Sequence, residues 1–114
     1  MKLYGIPNCN TVKKARTWLE QHGKTIEFHD FKKAGVTEAM LQGWIKKVGW
    51  EKLVNRQGTT WRKLDEDTKA GVTDAKAAIS LMIEKPSVIK RPVIEVGDTL
   101  CLGFDENEYT RLFK

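Results

Sequence analysis

Cys9 stands in YGIPNCNTVKKARTWL, residues 4–19, between a short apolar run and a basic, amphipathic segment. The thiolate rather than the thiol is the nucleophile. A cysteine at a helix start is biased toward thiolate by the dipole, about half an elementary charge, and by nearby cations. Together these can bring a thiol pKa from ~8.5 into the range of roughly 3.5 to 7.5. Lys13 and Lys14 follow in what would be the first helical turn, and Lys13 lies four positions after Cys9, a spacing that can bring it toward the sulfur. A lone cysteine has a second use, as a small buried residue, and local chemistry leaves both uses open. Cys101, within TLCLGF, has no helix start or cation beside it and reads as packing.

A reactive Cys9 needs a strand before it and a helix after it. KLYGI, residues 2–6, is short, apolar and aromatic and ends at Pro7, as a first strand would. Asn10 or Thr11 can cap the helix that follows, in which Val12, Ala15, Trp18 and Leu19 recur at helical spacing and Gly23 supplies the stop. TIEFHDF, residues 25–31, reads as a second strand, so the start is a βαβ unit with parallel pairing. In such a unit, the loop leaving the first strand faces the crevice where ligands bind, and the helix aims free N–H groups at it. Cys9 occupies that loop.

Residues 35–85 read as a helical block. Thr37 caps a helix with Met40, Leu41, Trp44, Ile45 and Val48 on one face and Gly49 at its end; WEKLV continues as a short helix and NRQGTT is a turn. WRKLDEDTKAG is a short helix and loop, and TDAKAAISLMIEK is a helix that Pro86 ends. SVIKRPVIEV and TLCLGF then form a hairpin about Gly97-Asp98. Asp105 caps a last helix, with Glu108 placed as in a capping box and Tyr109, Leu112 and Phe113 as its buried stripe.

The 114-residue length and 40% hydrophobic content fit one domain with one core. Residues 1–8 lack the charged-then-apolar pattern of a signal peptide and the apolar runs are short, so a soluble, cytoplasmic protein without membrane contact is expected. Two cysteines are too few for a disulfide framework, and His22 and His29 have no metal-ligand spacing with either; no bound cofactor or metal is expected. The net charge of +5 is spread along the chain, so nucleic acid is not an expected partner, and nothing demands more than a monomer. Arg91, before Pro92 in IKRPV, can bind a carboxylate or oxyanion bidentately or remain solvated, and Arg56, in the turn of LVNRQG, is equally open. Trp61 reads as core and His29 as surface.

LYGIPNCNTVKKARTWLE, GWEKLVNRQGTTWRKLD, IKRPV and LGFDENEYTRLF together resemble the arsenate reductase and Spx family, known as ArsC-like, and within it the YffB-like branch. The resemblance runs in order over almost the whole chain. It implies an α/β, thioredoxin-like fold: a β-α-β and β-β-α core with a mixed four-stranded sheet, carrying a helical insert. The family's catalytic cysteine falls on Cys9, its arginine before a cis proline on Arg91 and Pro92, and an oxyanion-binding arginine of the insert on Arg56. Asn8, Asn10, Thr11 and Lys13 surround the cysteine and join Arg91, Pro92 and Arg56 as the implied substrate- and glutathione-binding set.

Departures from the family pattern narrow the function. Arsenate reductases carry a third arginine soon after the last strand cysteine, where this chain has Leu102 and Gly103, and a histidine where it has Gly5. Spx regulators carry Cys-x-x-Cys, whereas Val12 holds the second position here. The resemblance therefore implies a single-cysteine thiol reductase with glutathione as co-substrate. The alternatives are a glutaredoxin-coupled arsenate reductase and a non-enzymatic regulator that binds RNA polymerase.

Overall fold

The chain opens as strand, helix, strand: β1 (Lys2–Gly5), α1 (Asn10–Gln21) and β2 (Glu27–Asp30). The structure, a computed structural model, describes residues 1–113; Lys114, the end of the expected domain, lies outside the described residues. The α1 crossover returns the chain in its original direction, so β1 and β2 pair in parallel, from Lys2 opposite Glu27 to Gly5 opposite Asp30. Late in the chain, β3 (Val93–Val96) and β4 (Thr99–Leu102) form an antiparallel hairpin, and Gly97 takes φ +57° in the tight turn between them. β3 pairs antiparallel with β1, giving the mixed sheet order β2-β1-β3-β4.

Met1–Asp30 and the residues from Arg91 onward form one compact unit. Its core lies on one face of the sheet, where α1 and the last helix, α8 (Glu106–Phe113), cover Leu3, Ile94 and Cys101. The helical spacing of Val12, Ala15, Trp18 and Leu19 is the reason α1 docks there, since all four project from one side and are buried. Full burial of a leucine such as Leu3 or Leu19 contributes about 1.5–3 kcal/mol. Tyr109 sits edge-on to Trp18, Phe113 and Phe104 at ring separations of 5.4, 5.3 and 5.0 Å, and its hydroxyl donates to the Gly103 carbonyl at 2.7 Å. The buried phenol is thus satisfied, as an aromatic with a polar tip requires.

Phe31–Lys90 form a second compact unit. It contains six helices, α2 (Phe31–Ala34), α3 (Glu38–Val48), α4 (Trp50–Leu53), α5 (Thr59–Arg62), α6 (Glu66–Gly71) and α7 (Ala75–Glu84), and a 3₁₀ turn at Pro86–Val88. Side chains of Thr37, Asp65 and Asp74 accept the Met40, Thr68 and Ala77 N–H groups at 3.2, 2.7 and 2.8 Å, closing three helix starts. Gly49, at φ +86°, ends α3. Among the described residues no helix is long and apolar enough to cross a membrane.

Several boundaries differ from the sequence pattern. Phe31 leaves the second strand to begin α2, with its side chain buried. Residues 87–92 do not extend β3: Ser87 and Val88 lie in the 3₁₀ turn, and Ile89 makes an isolated bridge to Val54. Proline at the first position of a helical turn has no N–H to lose there, so Pro86 starts a turn as well as ending α7. Residues 59–71 make two short helices because Asp65 provides a second cap. Asp105 caps α8 by accepting from Asn107 and Glu108 N–H, but the Glu108 carboxylate faces Arg111 at 3.9 Å.

Candidate functional site

Ile6 to Cys9 form a tight turn, in which the Cys9 N–H donates to the Ile6 carbonyl at 3.2 Å. Pro7 occupies the second position of that turn, where its fixed φ suits the geometry. Cys9 itself, not Asn10 or Thr11, is the residue that precedes the first helical turn of α1: its backbone is extended at φ −90° and ψ 124°, and its carbonyl accepts the Lys13 N–H at 3.0 Å. The capping position is thereby given to a sulfur, and no side chain closes a short capping hydrogen bond on this end.

Cys9 is half-buried. Burial raises its pKa, since a thiolate is harder to solvate there, but the opposing influences prevail and the pKa is lowered. In order they are the Val12 N–H, the positive charge of Arg91, the Thr11 N–H and a hydrogen bond from Arg91. The free N–H groups of the helix start therefore act through their field on the sulfur. Arg91, half-buried, is joined to the buried Pro92 by a cis peptide bond, and the Pro92 carbonyl accepts the Gly103 N–H at 2.9 Å. That bond ties the arginine-bearing loop to the end of β4.

The structure therefore brings Cys9 and Arg91 together, with the backbone rather than the hydroxyl of Thr11. Asn8 and Asn10 are exposed on either side of Cys9. Lys13 is also exposed and lines a groove along α1; the cation that acts on the sulfur is Arg91. Arg56 belongs to the second unit, exposed in its turn, with its guanidinium 5.6 Å from the Trp50 ring and 5.7 Å from the Trp61 ring. Trp61 is half-buried rather than core.

Residues 4–112 match the ArsC family over most of the chain. The chain belongs to the ArsC family. A solved structure of a YffB protein is 47% identical, covers 96% of each chain and superposes with a TM-score of 0.91. The solution structure of an arsenate reductase related protein from Brucella melitensis is 50% identical, covering 99% of this chain and 93% of its own with a TM-score of 0.78. The global transcriptional regulator Spx of Streptococcus mutans is 26% identical over 93% of this chain and 77% of its own. The four-stranded mixed sheet with its helices is the thioredoxin-like fold of these ArsC structures.

Gly5 and Val12 are neighbours in space. A Cβ built on Gly5 would lie 2.8 Å from Cγ2 of Val12, closer than packed carbons tolerate. Val12 is fully buried in the core that α1 covers. Where a second thiol would stand, an apolar side chain therefore fills the space that Gly5 leaves open. The family resemblance pointed to both positions, but only the fold shows that they are in contact. The electrostatic role of Arg91, 82 positions after Cys9 by their numbering, had no local signal apart from the residue pair Arg91-Pro92.

Proposed function

We propose that this protein is a single-cysteine thiol reductase that exchanges disulfides and uses glutathione as its reductant. The observation that carries the reading is the placement of Cys9 at the start of α1 with Arg91 beside it, an environment that lowers the thiol pKa. A thiolate there attacks a disulfide, forms a mixed disulfide and releases the other half. Because Val12 offers no second thiol, an external thiol must resolve the mixed disulfide, and glutathione is the abundant candidate in a reducing compartment. Arg91 suits a carboxylate of glutathione through charge-assisted hydrogen bonding, with Pro92 beside the mixed disulfide.

The test is incubation with glutathione disulfide followed by intact-mass measurement. The expected result is one glutathione adduct on wild type and none on Cys9→Ser; equal labelling of both proteins ends the proposal. The Spx relative favours a second reading, a regulator that binds RNA polymerase. Retention of the polymerase alpha subunit by wild type and Cys9→Ser alike, with no adduct on either, would support that reading.

A further inference from the structure

A groove of about 480 Å³ runs along α1, lined by Lys13, Lys14, Thr17, Trp18 and Gln21 and, across from them, Phe104 and Glu106. It lies wholly within the unit that holds Cys9. Lys13, at one end of its lining, is one helical turn beyond Cys9, and Phe104 and Cys9 both pack against the same buried cluster. Trp18 is buried and Phe104 half-buried, giving an apolar floor, while the polar residues are exposed and form the rim. Neither lysine is in an ion pair among the described residues. Glu106 is the one acid of the rim, set against two lysines and the positive start of α1. The volume falls in the range of roughly 300–1,000 Å³ usual for small-molecule sites.

We propose that this groove holds the leaving half of the disulfide substrate and selects halves that carry a carboxylate beside an apolar or aromatic group. The inference rests on the reading of Cys9 as an exchanging thiol and names the substrate class for that same site. The Cys9 thiolate attacks one sulfur of R–S–S–R′, a Cys9–S–S–R bond forms, the S–S bond of the substrate breaks, and R′–S⁻ leaves from the groove with the electron pair. One glutathione thiolate then attacks the R sulfur and restores the Cys9 thiolate; a second releases R–S⁻ and forms glutathione disulfide. The protons lost by two glutathione thiols are those gained by R–SH and R′–SH, so two electrons pass from glutathione to the substrate. An unpaired lysine rim lowers the free energy of an anionic leaving half, and the aromatic floor takes its apolar part.

The test compares an aromatic dicarboxylate disulfide, 5,5′-dithiobis(2-nitrobenzoate), with neutral 2-hydroxyethyl disulfide, each rate divided by that of free cysteine with the same compound. Wild type should prefer the anionic disulfide. Lys13→Gln/Lys14→Gln should lower that ratio about fivefold, the effect of two weak exposed charge pairs, and Glu106→Gln should raise it about twofold. The preference should fade in 1 M salt, where the Debye length is ~3 Å. With exchange present, an unchanged ratio in both variants overturns the groove assignment and leaves the function standing. If wild type exchanges neither disulfide, the function reading fails, and an NMR titration of Cys9→Ser with 5-mercapto-2-nitrobenzoate decides the groove. Shifts at Lys13, Thr17, Gln21 and Phe104 that vanish in the double lysine variant support it; their absence overturns it.

Discussion

Cys9 and Cys101 belong to the same hydrophobic core, Cys9 at its margin and Cys101 inside it. Burial is the largest influence on both thiols and raises the pKa of each. At Cys101, in β4 and only 1% exposed, the carboxylates of Glu108 and Asp105 add to burial, Arg111 offsets little, and the pKa is pushed up to about 11. At Cys9 the N–H groups of Val12 and Thr11 and the Arg91 guanidinium overcome burial and turn the shift downward. Desolvation therefore does not separate the two thiols of this chain; what surrounds each sulfur does. Backbone donors and a cation face one, carboxylates the other.

The contrast is broken most directly by chemistry. At pH 7 iodoacetamide should alkylate Cys9 at least about a hundredfold faster than Cys101, because the thiolate is the reactive form and Cys101 is both buried and protonated. Peptide mapping against time reads this, and equal rates would remove the distinction. Next in size is the packing beneath the Cys9 turn. Gly5→Ala should cost about 1–3 kcal/mol in urea denaturation by forcing Val12 aside, and Gly5→Ala/Val12→Ala should cost less than the sum of the two single changes. Additive costs would show that the two positions do not share that space.

A smaller effect is expected at the charge that lowers the Cys9 pKa. Arg91→Gln should move the midpoint of the Cys9 alkylation profile to higher pH and slow its reaction at pH 7 by about three- to tenfold, while leaving Cys101 unaltered. No movement would assign the lowered pKa to the helix start alone. The smallest effect concerns stability. Cys101 has a folded-state pKa above its unfolded value of ~8.5, so its thiol stabilises the fold fully below that value and loses the contribution as pH rises toward about 11. The Tm advantage of wild type over Cys101→Val should therefore shrink between pH 8 and pH 11. Cys9 has the opposite sign: its contribution is complete above the unfolded thiol pKa and is lost as pH falls through the lowered folded value.

The elements around the site were legible because their signals are local. The spacing of Val12, Ala15, Trp18 and Leu19, the Pro7 turn, the Thr37 cap and the Gly97-Asp98 hairpin each depend on residues within one or two turns of one another. Phe31 and residues 87–92 were misread because β-branched and aromatic residues also suit buried positions outside a sheet. The cap of α1 was assigned to Asn10 or Thr11 by side-chain preference, yet the Ile6–Cys9 turn brings the chain into helical geometry one residue earlier.

The sequence by itself determined a cysteine between the first strand and a helix and the lack of a partner thiol at Val12, since these follow from residue identity and short spacing. Tertiary structure decided which cation acts on the sulfur. Lys13 and Lys14 are adjacent in the chain but project along α1 into a groove, whereas Arg91 is brought to Cys9 because β1 pairs with β3 and carries the loop before it to the start of α1. Sequence distance has no bearing on a Coulomb interaction, which depends on where the sheet puts the charge.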